Sequence, residues 1–433
     1  MDNLTKILSI INNKLWILTS MLMIYMGIYF TIKLKGIQFN IIKMIKELFK
    51  KENTTTGLNS FKTLMLTLAG RIGVGSISGI ALAIYLNGPG TIFWIWFISL
   101  LSAPLSYCET YLGIKYKEKD NNNNYIGGPS YYIKKGLNKK YLGSVYSTII
   151  IICYIIGFIS IQSNTITKGI TSISNINPII IGIIASIITF ITIFGGIKEI
   201  STATSKIVPI MSLIYLSLAV YIIITNISII PIIIRTILDN AFNIKSFTGS
   251  FLPIMLMGVQ RGIFSNEAGI GTGSIAACSG ETNNPTSAGY IQMLGIYITS
   301  FLICTSTSII VLTSNYMILD ISDPNGIEIA TEAFKYHLGN GGNILLIILT
   351  LLFAFSTILS GYYYGESSLK YFSKKGNKIF VTLLKIFTCL IILIGSIFSS
   401  TIMWKFTDIF ISILALINIY AIIKLRRKIK KEN

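Results

Sequence analysis

Two glycine-rich interruptions inside apolar stretches constrain this chain more than any other feature. One is Leu68-Ala-Gly-Arg-Ile-Gly-Val-Gly-Ser-Ile-Ser-Gly79 and the other is Gln260-Arg-Gly-Ile-Phe-Ser-Asn-Glu-Ala-Gly-Ile-Gly-Thr-Gly273. Glycine at this density weakens a helix. Unwound backbone at membrane depth survives only where protein buries it or where it lines a cavity. Two interrupted segments in related places of a chain point to a transport site at mid-membrane.

Composition supports the membrane setting. Hydrophobic residues make up 52% and charged residues 12%, and the mean hydropathy is +0.69. Long parts of such a chain cannot face water. The 433 residues leave room for about eleven spans of roughly twenty residues with short connections, and none for a soluble domain. The net charge of +19 therefore reads as an orientation signal; a nucleic-acid binder would need a folded basic surface. Cys108, Cys153, Cys278, Cys304 and Cys389 are scattered without paired spacing, and His337 stands alone. Neither a disulfide nor a transition-metal cage is expected. No small-residue cleavage site follows the first apolar stretch, which reads as a retained span.

Candidate spans fall near 15–34, 61–86, 91–113, 144–166, 178–196, 206–227, 250–280, 288–315, 343–366, 379–398 and 402–424. Lys and Arg gather in alternate connections: Lys33 to Lys62, Lys115 to Lys140, Lys198 to Lys206, Lys370 to Lys378, and from Lys424 onward. The positive-inside bias places these in the cytoplasm, with the N-terminus outside. The opposite connection from Asn315 to Gly342 carries Asp320, Asp323, Glu328 and Glu332 and reads as a solvated acidic loop. Asn121 to Asn124 reads as a loop tip without fixed structure.

Setting the first helix aside leaves ten spans, and the two broken ones are the first and sixth of these. Because five is odd, they cross in opposite directions, as in a five-plus-five inverted repeat. The implied division is 1–60, an N-terminal helix and basic segment; 61–228 and 229–425, the two five-helix repeats; and 426–433, a basic tail. Free N–H groups at the broken ends can hold an anion and free carbonyls a cation. A zwitterionic amino acid travelling with a monovalent cation suits such ends.

Each motif also has a plainer reading. Gly75/Gly79 and Gly269/Gly273 match the G-x-x-x-G of helix packing, yet packing alone does not call for Gly70, Gly73 and Gly75 so close together. Gly70 to Ser76 mimics a phosphate loop but lacks its lysine and preceding strand. Arg71, Glu109, Arg261, Glu267 and Glu366 lie in or near spans, where charge is costly and usually paired. Ion pairs bracing the breaks or latching a gate, involving Arg71, Arg261 and Glu267, are the preferred reading over direct substrate contact. Gln162 and Asn164 serve either helix packing or binding. The hydroxyls of Ser356 and Thr357 either bond back to the preceding turn or ligate Na⁺.

These residues resemble the alanine/glycine:cation symporter family. The resemblance is carried by Gly73-Val-Gly-Ser-Ile-Ser-Gly79, Gly88-Pro-Gly-Thr-Ile-Phe-Trp-Ile-Trp96, Gly127-Gly-Pro-Ser-Tyr-Tyr-Ile133, Gln162-Ser-Asn164, Arg261-Gly-Ile-Phe-Ser-Asn-Glu-Ala-Gly269 and Phe353-Ala-Phe-Ser-Thr-Ile-Leu359. It implies an all-α, LeuT-like fold with one additional N-terminal transmembrane helix, and alternating-access import of a small neutral amino acid with Na⁺, or with H⁺ in some members. Carried onto this chain, Gly73, Gly75, Ser76 and Gln162 would face the substrate, and Phe264, Ser265 and Asn266 would line the other side. The carbonyls of Ala69 and Ile72, with Ser356 and Thr357, would hold Na⁺.

The chain departs from the family pattern twice. Ser76 stands where many members have asparagine, which leaves the number of ions open. Gly361 stands where many have tryptophan, which would widen the pocket enough for glutamine. The expectation is a non-enzymatic symporter in the cell membrane of a prokaryote, acting as a monomer with no cofactor beyond its co-transported ion. A channel would need a continuous polar pore, and an amino-acid sensor would bind without flux.

Overall fold

Runs of Ile, Leu and Phe too long for any soluble face, punctuated by Gly, Pro and Asn, set out nineteen α-helices among the described residues of the computed structural model. It describes residues 2–50, 54, 58–242, 251–316, 326–373, 378–398 and 400–431. Asp320, Asp323, Lys51, Lys374 and Lys375, which belong to the acidic and basic connections above, lie outside the described residues.

In chain order the helices begin with α1 (Asp2–Lys33), α2 (Ile41–Leu48), α3 (Ser60–Arg71), α4 (Ile80–Asn87), α5 (Thr91–Tyr116), α6 (Pro129–Leu137), α7 (Lys140–Ile151), α8 (Ile159–Thr171), α9 (Pro178–Phe194) and α10 (Gly196–Thr225). They continue with α11 (Ile230–Ala241), α12 (Phe251–Asn266), α13 (Thr272–Cys278), α14 (Pro285–Ile296), α15 (Thr305–Leu312), α16 (Gly326–Leu338), α17 (Asn340–Phe372), α18 (Lys378–Ile397) and α19 (Ser400–Leu425). Asparagine starts several of them. Asn59 Oδ1 accepts from the Lys62 N–H, and Asn284 Oδ1 accepts from Thr286 and Ser287 N–H with Pro285 in the first turn, each satisfying N–H groups the helix cannot bond itself.

Among the described residues, eight helices are long and apolar enough to cross a membrane, with α7–α8 and α14–α15 each continuous, and α3 with α4 makes a ninth candidate span bent by 49°. The chain is a multi-pass membrane protein. The stretch 178–196 forms the shorter α9, of 17 residues, and 250–280 divides into α12 and α13 with Glu267 to Gly271 between them. Two spans expected to be regular carry π-helical turns, at Ile152–Phe158 between α7 and α8 and at Tyr297–Cys304 between α14 and α15. Such turns bulge the backbone and occur most often where function needs them.

Two connections are more ordered than their polarity suggests. Glu118–Lys119 and Tyr125–Ile126 form a short antiparallel hairpin, β1 and β2, and Asp120 Oδ1 pins the Asn121–Asn124 tip by accepting from the N–H groups of Asn122 and Asn124 at 2.8 and 2.9 Å. Much of the acidic connection is α16, which packs on α4 and on the π-helical turn Gly75–Gly79. Glu332 there pairs with Lys335 at 3.8 Å.

The two broken spans run antiparallel: α4 packs against α12 while α3 packs against α13. Helix α12 lies on α5 through a G-x-x-x-G that differs from the two noted above. A Cβ on Gly258 would stand 2.5 Å from both the Thr91 carbonyl and Trp94 Cβ, and one on Gly262 would stand 2.6 Å from Ile98 Cγ2. Small residues at this spacing let helix backbones meet closely, where dispersion is the main attraction available in lipid. A Gly258→Leu substitution is expected to push α12 off α5 at a cost of about 1–3 kcal/mol, read as a lower midpoint of thermal unfolding in detergent. An unchanged midpoint would show that this contact does not hold the second broken span.

Candidate functional site

The chemistry of each break follows from what satisfies its backbone. At the first, α3 ends at Arg71, and the Ile72 N–H still reaches the Leu68 carbonyl at 2.6 Å. Beyond it the partners come from other helices. Gln162 Oε1 on α8 accepts from the Val74 N–H at 3.2 Å, Thr357 Oγ1 on α17 donates to the Ala69 carbonyl at 2.7 Å, and Thr307 Oγ1 on α15 donates to the Ser76 carbonyl at 2.8 Å. The Ser76 hydroxyl donates to the Arg71 carbonyl at 3.0 Å. Gly73 is small because α17 lies on it: a Cβ there would collide with the Thr357 side chain.

At the second break Asn266 is the organiser. Its Oδ1 accepts from the Ala268 N–H at 2.9 Å, and its Nδ2 donates to Ser99 at 3.0 Å and Ser300 at 3.4 Å. The chain then turns through left-handed backbone at Glu267 (φ 53), Gly269 (φ 79) and Gly271 (φ 108). This conformation costs little for glycine and is unusual for glutamate. Glu267 is locked on both oxygens, accepting from the Tyr154 hydroxyl at 2.7 Å and from Thr272 Oγ1 at 2.9 Å.

The breaks meet through Phe264, which lies over Gly75: a Cβ on that glycine would be 2.7 Å from Phe264 Cε1. Phe264 stacks on Phe158 at 4.8 Å between ring centroids, Phe158 stacks on Tyr154 at 4.3 Å, and Trp404 tilts over the opposite face of Phe264 at 4.8 Å. A column of four aromatic rings thus runs from α19 across both breaks to Glu267, held by the offset contacts such rings prefer. Gly361 adjoins its inner end, with a would-be Cβ 3.7 Å from Tyr154 Cδ1 and 3.8 Å from Ile159 Cγ1.

Most of the residues named from sequence fall into two neighbouring groups. Gly75, Ser76, Phe264 and Ser265 gather around Cys304, whose Sγ reaches Ser265 Oγ at 3.6 Å and lies beside the Ser76 hydroxyl. Ala69, Ile72 and Gly73 lie along the end of α3 where Thr357 packs, and Ser356 and Thr357 both bond back to the Phe353 carbonyl at 2.9 Å. Ser356 points toward Met211 Sδ at 3.7 Å, away from the Ala69 carbonyl that Thr357 meets. Gln162 joins the first break directly, whereas Asn266 turns toward α5 and the Tyr297–Cys304 turn. Asn164 ties α8 to the end of α18 through the Gly395 and Phe398 carbonyls.

The charges pair differently from the preferred reading. Arg261 meets Asp408 on α19 at 2.5 Å and lies over the rings of Trp404 and Phe264 at 4.8 and 5.3 Å. Arg71, 1% exposed, donates to neutral acceptors, the Gln292 carbonyl at 2.9 Å and Ser106 Oγ at 3.2 Å. Its guanidinium fits because two positions have no side chain: Cβ atoms on Gly273 and Gly295 would stand 2.6 and 2.7 Å from its Nη atoms. Glu109 accepts from Asn418 Nδ2 at 2.9 Å. Asp408, Trp404, Cys304 and Thr307 were not singled out from sequence. Asp408, an acid inside an apolar run, carried the one available signal.

Among the described residues no three His, Cys, Asp or Glu side chains gather as a transition-metal site would require. At the first break the arrangement brings one hydroxyl, Thr357, onto the Ala69 carbonyl, and places Gly75 beneath the Phe264 ring.

Comparison with known proteins agrees with the resemblance. The model of the sodium:alanine symporter family matches residues 1–433. The amino-acid carrier protein AlsT of Bacillus subtilis is 34% identical over 96% of this chain and 88% of its own length. The probable sodium/glutamine symporter GlnT of the same organism is 35% identical over 98% and 89%. The sodium/alanine symporter AgcS of Methanococcus maripaludis is 31% identical over 92% and 89%. Matched along its whole length, and covering most of each of these transporters, the chain belongs to the sodium:alanine symporter family and is a transporter, not an enzyme.

Proposed function

We propose that this protein imports a small neutral amino acid together with Na⁺ by alternating access. One observation carries the reading: two antiparallel broken helices meet under Phe264, the open backbone of the first held by Gln162 and Thr357 from other helices and that of the second by its own Asn266 with Tyr146 and Asn418 on the Ile270 and Gly269 carbonyls. The relatives named as sodium/alanine and sodium/glutamine symporters support the substrate class. In this reading α9 and the pair α12 and α13 also cross the membrane, giving eleven spans. After α1, the first repeat is α3/α4, α5, α7/α8, α9 and α10, and the second is α12/α13, α14/α15, α17, α18 and α19. Basic connections face the cytoplasm and the N-terminus faces outward.

The amino-acid carboxylate takes the N–H groups around Gly73 to Ser76, displacing Gln162 from Val74. Gln162 then bonds the substrate, while Phe264 covers it and Ser265 and Asn266 stiffen the far wall. Na⁺ sits among the carbonyls of Ala69 and Ile72 and the hydroxyls of Thr357 and Ser356, the last after rotating off Phe353. The Arg261–Asp408 pair, roofed by Trp404, latches the outer side. Exchanging one set of hydrogen bonds for another keeps the cost of switching small.

A second reading, proton coupling, draws on the interior charges. Glu109 and Glu267 are fully buried with Arg71, and Glu109 Oε1 has no hydrogen-bond partner.

Uptake by proteoliposomes separates the readings. A tenfold inward Na⁺ gradient supplies about 1.4 kcal/mol per ion, and should concentrate labelled alanine or glutamine roughly tenfold for one-to-one coupling. Accumulation driven only by a H⁺ gradient would favour the second reading. Ion current without saturable uptake would favour a channel, and binding without flux a sensor.

The size of the cargo is set at Gly361. A Gly361→Trp variant is expected to keep alanine uptake and lose competition by glutamine; an unchanged competition profile would remove Gly361 from the pocket. A Gln162→Ala variant should weaken amino-acid affinity by about 1–2 kcal/mol, the worth of one hydrogen bond in a dry site. Equal affinity in a binding titration would count against the central site.

A further inference from the structure

A cavity of about 400 Å³ opens between α1, α4, α12 and α19, lined by Trp404 and by Gly79 at the end of the first break. Its volume falls in the range of small-molecule sites. The α1 wall is unusual for a peripheral apolar helix. Ser9, Asn12, Trp16 and Thr19 follow one another at helical spacing on the face toward α19. Lys405 Nζ donates to Ser9 Oγ at 2.7 Å, Trp16 Nε1 donates to the Asp408 carbonyl at 3.1 Å, and the hydroxyls of Thr19 and Ser412 meet at 2.6 Å. Helix α1 is thus keyed to α19 by polar contacts.

Three buried polar atoms around this cavity are without a well-formed hydrogen bond: Asn12 Oδ1, Gln260 Nε2 and Asp408 Oδ1, the Gln260 amide lying beside the Asp408 carboxylate. Their residues are 8%, 7% and 2% exposed, and all three line the cavity. An unmet buried donor or acceptor is costly, so a cluster of them around a space is a place for a polar ligand. The set has two acceptors, one a carboxylate oxygen, and one donor beside the Lys405 ammonium. Arg261 is already paired with Asp408 through the other carboxylate oxygen. Leu82, Leu86, Met257 and Trp404 supply apolar surface between the polar groups.

The geometry points to a second amino-acid subsite in this cavity, next to the one proposed beneath Phe264 and walled on one side by α1. The inference rests on the transport reading given above for its ligand class. The ligand ammonium donates to Asp408 Oδ1 and Asn12 Oδ1, its carboxylate accepts from Gln260 Nε2 and Lys405, and its side chain lies on Leu82, Leu86 and Met257. A zwitterion satisfies both signs at once, which a simple anion or an apolar tail does not. Because Asp408 also holds Arg261, and Arg261 lies on Phe264, an occupant of the cavity touches the latch over the central site.

The test is equilibrium binding of labelled alanine, and separately labelled glutamine, to the full chain in lipid nanodiscs with saturating Na⁺. Two molecules per chain are expected for the wild type and one for Asn12→Leu. A single molecule in the wild type, or two in the variant, overturns the inference while leaving central transport intact. Absence of binding by both amino acids overturns the transport reading as well.

A second measurement avoids altering the wall. All five native cysteines are buried or half-buried, whereas Asn13 is exposed at the cavity rim. Maleimide labelling of an Asn13→Cys variant should slow several-fold when alanine or glutamine is present, and should lose that protection when Asn12→Leu is added. Labelling that neither amino acid slows overturns the inference.

Discussion

Everything at the centre of this molecule follows from the rule that a helix cannot be broken inside a membrane unless something else bonds its open ends. Here other helices do so. Gln162, Thr357 and Thr307 reach the first break from α8, α17 and α15, and Asn266 serves the second from within. The bonds are side chain to backbone, so they can be exchanged for a ligand without unravelling a helix. Glycine is placed where approach demands it. Gly73 admits Thr357, Gly75 admits Phe264, and Gly273 with Gly295 admits Arg71.

The interior charges divide between two kinds of work. Arg71 is encased, its donors facing a carbonyl and a hydroxyl, and fastens α3 to α5 and α14. Arg261 is paired with a carboxylate beside a cavity and lies against two aromatic rings. A buried arginine on neutral acceptors suits a fixed joint. An ion pair at a cavity wall can be broken when either partner finds another. The two arginines occupy related places in the broken spans, yet of the two only Arg261 meets a carboxylate at a cavity wall.

The sequence displayed the breaks because glycine density and misplaced charge are local signals, readable without knowing what packs on them. Gln162, Phe264 and Thr357 were legible through family strings; of their partners, Val74 and Gly75 lie in the string Gly73–Gly79 and Ala69 just before it. Asp408 was not tied to Arg261, which lies 147 positions earlier, and no spacing rule connects residues so far apart. Trp404 reads as an ordinary interfacial aromatic until Phe264 is found beneath it. The π-helical turns at Ile152–Phe158 and Tyr297–Cys304 left no trace, because a span apolar on most faces has no periodicity for an extra residue to disturb. Asp120 was missed for a different reason: a run of asparagines suggests mobility, and the carboxylate that organises it precedes the run.

The ring column from Trp404 through Phe264 and Phe158 to Tyr154 has an optical consequence. Trp404 is one of only four tryptophans in the chain, and its indole touches both the Arg261 guanidinium and the phenyl ring over the first break. Any tilt of Phe264, or departure of Arg261 toward another partner, changes the polarity and charge around that indole. The molecule therefore carries an intrinsic fluorophore in contact with Phe264 and Arg261, so the emission of the unlabelled protein reports on the surroundings of both residues.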